Sequence, residues 1–154
     1  MSRVQLALNV EDLDRAVSFY STLLGVEPAK RRPGYANFAV AEPPLKLVLL
    51  ENPGEGGTLN HLGVEVGSVD EVDATQARLA ERGLSSADER GGTCCYAKQD
   101  KFWVEAAPDG ERWEVYTVLA DSATFASEDG PGCCSPADEA SMGRATVAAG
   151  TACC

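Results

Sequence analysis

The residues best suited by type and spacing to do chemistry are cysteines. Six occur in 154 residues, all as adjacent pairs: Cys94-Cys95, Cys133-Cys134 and Cys153-Cys154. Neighbours in sequence close a strained ring if bonded to each other, so they make poor structural disulfides and remain thiols in a reducing compartment. Two adjacent thiols suit a soft, thiophilic ion such as Zn(II), Cd(II), Cu(I) or As(III). His61 is the only histidine. Taken alone, a histidine near the start of a strand is more often a packed or surface residue than a ligand. Gln5 and Glu114 taken alone are weaker signals still, since polar side chains at strand ends are common.

What raises these three residues is an internal repeat in the elements that must position them. Val4 to Val10 reads as a strand. A helix capped by Asp12 follows, with Leu13, Ala16, Val17, Tyr20 and Leu24 at three- and four-residue spacing, ended by Gly25. Short strands are expected around residues 27–31, 35–41 and 45–51. The pattern then starts again. His61 to Val66 reads as a strand, and Ser68 with Glu71 as a capping box. A helix runs to about Arg82, with Val69, Val72, Leu79 and Ala80 inward and Gly83 as its stop. Strands are expected near residues 85–89, 102–106 and 112–119, the last two joined by a Pro108-Asp109-Gly110 turn. Each copy is therefore βαβββ.

The helix-ending glycine lies 20 residues after Gln5 and 22 after His61, so these two residues hold equivalent places. If Glu114 corresponds to Leu47, the second copy is about 11 residues longer (53 against 42), and the excess falls between Glu89 and Asp100. Cys94 and Cys95 are thus expected on an inserted, glycine-hinged loop, where functional groups are often carried. Packing two such units about a pseudo-twofold axis brings the strands bearing Gln5, His61 and Glu114 around one cleft. Tyr116 shares the strand face of Glu114 and reads as a cleft residue or a core tyrosine. Lys98 and Lys101 read as solvated loop lysines, with a lowering of the thiol pKa values as the alternative.

Composition bounds the rest. With 44% hydrophobic and 24% charged residues the chain is an ordinary globular protein rather than a disordered one. The net charge of −11 excludes phosphate backbones as natural partners, so no nucleic acid is expected. No apolar run approaches the ~20 residues of a membrane span, and no secretion signal opens the chain, so no membrane partner and a cytoplasmic location are expected. From Asp121 onward the only large apolar side chains are Phe125, Met142 and Val147, among Gly, Ser, Ala, Thr and Asp. Residues 121–154 are therefore expected to be a flexible tail carrying Cys133, Cys134, Cys153 and Cys154. Residues 1–120 form the folded part, with modules at about 1–52 and 59–120.

The two-module α+β pattern resembles the vicinal oxygen chelate superfamily of glyoxalases, extradiol dioxygenases and bleomycin- or fosfomycin-resistance proteins. In that family paired βαβββ modules enclose one divalent metal. The resemblance implies Gln5, His61 and Glu114 as metal ligands, acting catalytically through the metal, while a fourth ligand position is filled by Leu47-Val48-Leu49. A closer resemblance covers residues 1–120. Asn60-His61-Leu62-Gly63-Val64-Glu65-Val66, Thr93-Cys94-Cys95-Tyr96-Ala97, Asp100-Lys101-Phe102-Trp103 and Trp113-Glu114-Val115-Tyr116 are similar to the C–As lyases and their cadmium-inducible relatives. It implies a non-haem Fe(II) dioxygenase, with Ni(II) or Co(II) as possible substitutes, that uses O2 to cleave trivalent methyl- or aryl-arsenicals to inorganic arsenite. Cys94 and Cys95 would bind the substrate by taking both exchangeable positions on arsenic. The alternatives are a non-catalytic Cd(II)- or As(III)-sequestering protein, which needs thiols but no triad, and a cofactor-independent resistance protein, which has no task for the thiols. Both a monomer and a homodimer are compatible with this pattern.

Overall fold

The computed structural model describes residues 1–105 and 107–126. The element order is β1 (Arg3–Val10), α1 (Leu13–Leu24), β2 (Lys30–Arg32), β3 (Tyr35–Val40), β4 (Leu45–Glu51), β5 (Leu59–Glu65), α2 (Val69–Glu81), β6 (Ser86–Cys94), β7 (Ala97–Val104) and β8 (Trp113–Asp121). This is βαβββ twice, as the repeat predicts. All eight strands join one sheet, curled into a half-barrel, in the order β2-β3-β4-β1-β5-β8-β7-β6. The two modules meet where β1 and β5 pair antiparallel, each flanked by the last strand of its own module in parallel pairing.

The helices begin and end where local chemistry dictates. Asp12 accepts from the Arg15 amide at 2.9 Å, and Gly25 adopts the left-handed conformation (φ 68°) that lets its N–H cap Ser21. Ser68 accepts from the Glu71 amide, but the Glu71 carboxylate accepts from Gly67 rather than closing the reciprocal half of the box on Ser68. α1 seals a core of Val10, Leu13, Val17, Phe38, Leu47 and Leu49, and α2 a second one of Val66, Val72, Phe102 and Val115. In α2 only Val72 is fully buried, and Ala80 is exposed, because the helix rests on the sheet along a narrower stripe than its spacing suggests.

Strand alternation sends the opposite set of side chains to the other sheet face. That face carries Gln5, Ala7 and Asn9 of β1, Lys46, Val48 and Leu50 of β4, and Glu114 and Tyr116 of β8. Many of these are polar and nearly all are buried. A sheet face buried without a helix against it, and lined with polar groups, is where a site is expected.

The expected inserted loop is not a loop. β6 runs on to Cys94 and pairs with β7 down to Cys94↔Ala97, so residues 86–104 form one hairpin. Gly91 and Gly92 sit at a bulge within it, where Gly91 takes φ 63° and its amide donates to Asp100 at 2.6 Å. The turn itself is Cys95-Tyr96, both with positive φ (54° and 61°). Two successive left-handed residues make the tight two-residue turn that matches strand twist, here without glycine and therefore under strain.

The chain beyond Asp121 also departs from the expected boundary. The Ser122 amide donates to the Tyr96 carbonyl, Ala126 bridges to Cys94, and Phe125 packs on Tyr35 and Tyr96. One aromatic residue is enough to anchor this short stretch. Cys133, Cys134, Cys153 and Cys154 lie outside the described residues. Among the described residues no helix is long and apolar enough to cross a membrane.

Candidate functional site

The centre of the sheet brings together the three residues singled out by the repeat. Gln5 Nε2 lies 3.0 Å from His61 Nε2 and 2.7 Å from Glu114 Oε1, and His61 Nε2 is 3.4 Å from Glu114 Oε1. All three are buried. Register explains the convergence. Gln5 pairs with Gly63 on one side of β5, and Gly63 with Glu114 on the other, so the two side chains flank a residue that has none. A Cβ at Gly63 would sit 3.2 Å from Gln5 Cβ, Gln5 Nε2 and Glu114 Cγ.

The hydrogen bonds around His61 assign its protons. Asn9 Nδ2 donates to Thr58, leaving Asn9 Oδ1 to accept from Asn60 Nδ2. Asn60 Oδ1 therefore faces His61 Nδ1 at 2.7 Å, and the ring must donate from Nδ1. The Nε2 lone pair is left pointing at Gln5 and Glu114. A histidine donating through one nitrogen to a carbonyl oxygen is prepared to ligate through the other.

Glu114 is ionised. Burial pushes its pKa up, but the neighbouring Lys101 charge works against this, and the carboxyl is held well below the usual carboxylate range. Lys101 Nζ lies 3.1 Å from Glu114 Oε2 and 3.6 Å from Glu89, over the Trp103 ring. It is 1% exposed, which overturns its reading as a solvated lysine. It lies on β7, and its strand face is shared by Gln99 and Trp103, all turned to the site. Lys98, one residue off that face, is exposed as expected. With Oε2 tied to Lys101, only Oε1 of Glu114 is directed at Gln5 and His61.

Tyr116 is buried beside the triad, its hydroxyl 2.6 Å from Gln5 Oε1 and 2.8 Å from Glu65 Oε2. Burial, then the charges of Glu65 and Glu114, keep this phenol protonated to well above its ordinary range. Glu65 is in turn held by Arg3 at 2.8 Å and Lys46 at 3.1 Å.

Cys94 and Cys95 line the same cavity as Gln5, His61 and Glu114, together with Tyr35, Lys46, Val48 and Gln99. Their sulfurs are 3.4 Å apart, far beyond a disulfide bond, so both remain thiols. The strained turn that places them is held from three sides. Lys30 Nζ and the Ser122 amide both donate to the Tyr96 carbonyl at 2.9 Å, and the Tyr96 ring packs against Tyr35, Phe125 and the Arg32 guanidinium. Tyr35 is held well above its usual pKa, chiefly by burial.

The donor set is one imidazole nitrogen, one carboxylate oxygen and one amide. Among the described residues no group of three His, Cys, Asp or Glu forms a metal site, because the third member here is Gln5. The set still suits a divalent cation. The histidine tautomer is correct, the carboxylate is charged, and the amide contributes an oxygen after a half-turn. Val48 lines the same cavity and brings no donor atom to it.

Sequence reasoning missed Asn60, Glu65, Gln99 and Tyr35 as site residues. The only sequence signal for Gln99 is its two-residue spacing with Lys101 and Trp103, which is meaningless until the strand is placed.

The Glyoxalase/Bleomycin resistance protein/Dioxygenase superfamily matches residues 3–115. The chain is 72% identical over 127 residues to the cadmium-induced protein CadI of Mycobacterium bovis, covering 82% of this chain and 83% of that one. It is 55% identical over 155 residues to the trivalent organoarsenical cleaving enzyme of Thermomonospora curvata, covering 100% of both. Among solved structures, the Mn(II)-bound glyoxalase from Novosphingobium aromaticivorans shares the fold, with a TM-score of 0.54 at 23% identity over 80% of this chain and 42% of that one.

Proposed function

The chain belongs to the Glyoxalase/Bleomycin resistance protein/Dioxygenase superfamily, and from that membership we propose that it is a C–As lyase acting on trivalent organoarsenicals. The observation that carries this reading is one cavity holding both a thiol pair and a cation-type donor set. The relative whose name states that it cleaves trivalent organoarsenicals matches along the whole chain, which adds support.

Cys94 and Cys95 bind the substrate. A trivalent methyl- or aryl-arsenical carries two hydroxyls on arsenic. Each thiol replaces one hydroxyl, its proton leaving with that hydroxyl as water. Sulfurs 3.4 Å apart can both reach one atom placed between them. Arsenic is then anchored by two sulfurs, and its remaining substituent is the carbon, presented into the cavity toward Gln5, His61 and Glu114. Gln5, His61 and Glu114 are the residues that would hold Fe(II), with Ni(II) or Co(II) able to occupy the same donors. When bound, Fe(II) supplies the redox chemistry with O2. The balance closes without a further reductant. Methylarsonous acid and O2 give formaldehyde and arsenous acid, the carbon being oxidised and arsenic staying trivalent. Asn60 holds the His61 tautomer, Lys101 holds Glu114 ionised, and the packed rings of Tyr35, Tyr96 and Phe125 surround Cys95 and limit water on the thiol side.

A second reading, sequestration of Cd(II) or As(III) without turnover, is favoured by the thiol pair and by the relative named as cadmium-induced. Aerobic turnover of Fe(II)-loaded protein with methyl- or phenylarsenite separates the two. Inorganic arsenite that forms with Fe(II) and O2, and fails to form with His61→Ala, supports the lyase. Tight arsenical binding with no arsenite released establishes sequestration instead.

A further inference from the structure

The Gln5 amide stands between two hydrogen-bond systems that ask opposite orientations of it. On the cavity side, its two Nε2 hydrogens go to Glu114 Oε1 and to the lone pair of His61 Nε2. On the other side, its Oε1 lies 2.6 Å from the Tyr116 hydroxyl, which is also 2.8 Å from Glu65 Oε2. A phenol has one hydrogen, and here it faces two oxygens that can only accept. One of those two contacts is therefore oxygen against oxygen with no hydrogen between them.

We propose that Tyr116, backed by Glu65, is a positioning residue that turns the Gln5 amide oxygen toward an incoming cation. This rests on the reading of Gln5, His61 and Glu114 as the metal-holding set.

A half-turn about the terminal bond of Gln5 exchanges the two ends of the amide. Gln5 Nε2 then donates to Tyr116, Tyr116 donates to Glu65, and every contact on that side has its hydrogen. The amide oxygen now faces His61 Nε2 and Glu114 Oε1. Three acceptors with no hydrogen among them are costly to bury and are satisfied by a cation. Nitrogen inward thus leaves the phenol short of a hydrogen, and oxygen inward is the arrangement that a cation stabilises. Glu65 cannot relieve the first by moving away, since Arg3 and Lys46 hold both its oxygens. The phenol therefore lowers the cost of the rotation that binding requires, and no backbone movement is needed. Register supports the assignment, because Glu65 pairs directly with Tyr116 across β5 and β8, one row from Gln5, Gly63 and Glu114.

The test is Co(II) affinity of the full chain, measured by chelator competition, in a double-mutant cycle. Tyr116→Phe weakens Co(II) binding about 10-fold or more, as loss of a group that orients a ligand does. In the Gln5→Glu background the same substitution changes affinity by no more than about twofold, because a carboxylate presents oxygen in either orientation. Equal losses in both backgrounds, or none in the Gln5 chain, overturn the proposal while leaving the metal reading intact. Failure of the unsubstituted chain to bind Co(II) overturns the metal reading as well. A measurement that needs no variant uses Zn(II), its arrival at this site followed by the shifts of the His61 ring resonances, and nuclear Overhauser contacts. Contacts between the Gln5 Nε2 hydrogens and the Tyr116 ring strengthen when Zn(II) binds. If they do not, with Zn(II) bound, the amide has not turned and the proposal fails.

Discussion

Gly63→Ala is the substitution that most directly probes how the sheet spaces the candidate ligands. In an ordinary strand this change stabilises by about 0.4–1 kcal/mol, because alanine has less freedom to lose on folding. At Gly63 the added methyl would lie 3.2 Å from each of three atoms, one being Gln5 Nε2 and another Glu114 Cγ. Carbon contacts are at their best near ~3.5–4.0 Å, so each neighbour must yield by a few tenths of an ångström. The neighbours are on the two adjacent strands and are buried, with no solvent side to retreat to. Overpacking of this kind costs about 1–3 kcal/mol, which exceeds the gain in backbone entropy. The expected net loss is about 1 kcal/mol, or roughly 4 °C in Tm for a domain of this size. Moving Gln5 and Glu114 apart also weakens divalent-cation binding by about 10-fold, as other disturbances of ligand placement do. Thermal unfolding and Co(II) competition measure both effects. Gly67→Ala is the control, since its nearest neighbour is the end of the flexible Glu71 side chain. A Gly63→Ala protein that melts higher and binds Co(II) unchanged refutes the claim that the missing side chain sets the site's dimensions.

Lys101→Met leaves Glu114 and Glu89 without their shared buried cation. Breaking a buried pair this way costs about 3–5 kcal/mol, visible in urea unfolding. The same carboxylate sets a pH dependence. Because the folded-state pKa of Glu114 lies below its ordinary 4.5, its contribution is present above that pH and drains away as pH falls below it. This acid-side loss is shallower in Lys101→Met, where the carboxyl titrates nearer its ordinary range. Asn60→Ala removes the acceptor that fixes the His61 tautomer and is expected to lower Co(II) affinity about 10–100-fold with little change in fold. In a chain whose Cys133, Cys134, Cys153 and Cys154 are replaced by serine, Cys94→Ala or Cys95→Ala abolishes tight binding of phenylarsenite, measured by calorimetry, while Co(II) affinity stays within about twofold. Retained arsenical binding in both single variants rejects the thiol pair as the anchor.

Much of the fold was legible because its signals are local. Asp12, Gly25, Ser68 and Gly83 bound the helices through hydrogen bonds and backbone conformations set within one turn of chain. The duplicated order of elements placed Gln5 and His61 at equivalent points of β1 and β5. The hairpin of β6 and β7 was not legible. Its glycines look like a loop, and only pairing with β7 turns them into a bulge and makes Cys95-Tyr96 the turn. Lys101 failed for a related reason, since a lysine among polar residues reads as solvated until the sheet buries it between two carboxylates. Phe125 likewise belongs by composition to a tail, and is retained by the aromatic rings that happen to lie beside it.

The sequence by itself determined the kinds of atoms available: an adjacent thiol pair, one imidazole, a carboxylate and an amide, on a twice-repeated βαβββ frame. It also determined which strands would carry them. Tertiary structure alone decided that they meet. Gln5 contacts His61 and Glu114 across separations of 56 and 109 residues. Those meetings depend on strand register, and a slip of one residue in β5 or β8 would turn His61 or Glu114 to the opposite face. Register is fixed by the summed packing of whole strands against one another and against two helices. No short stretch of sequence carries that information.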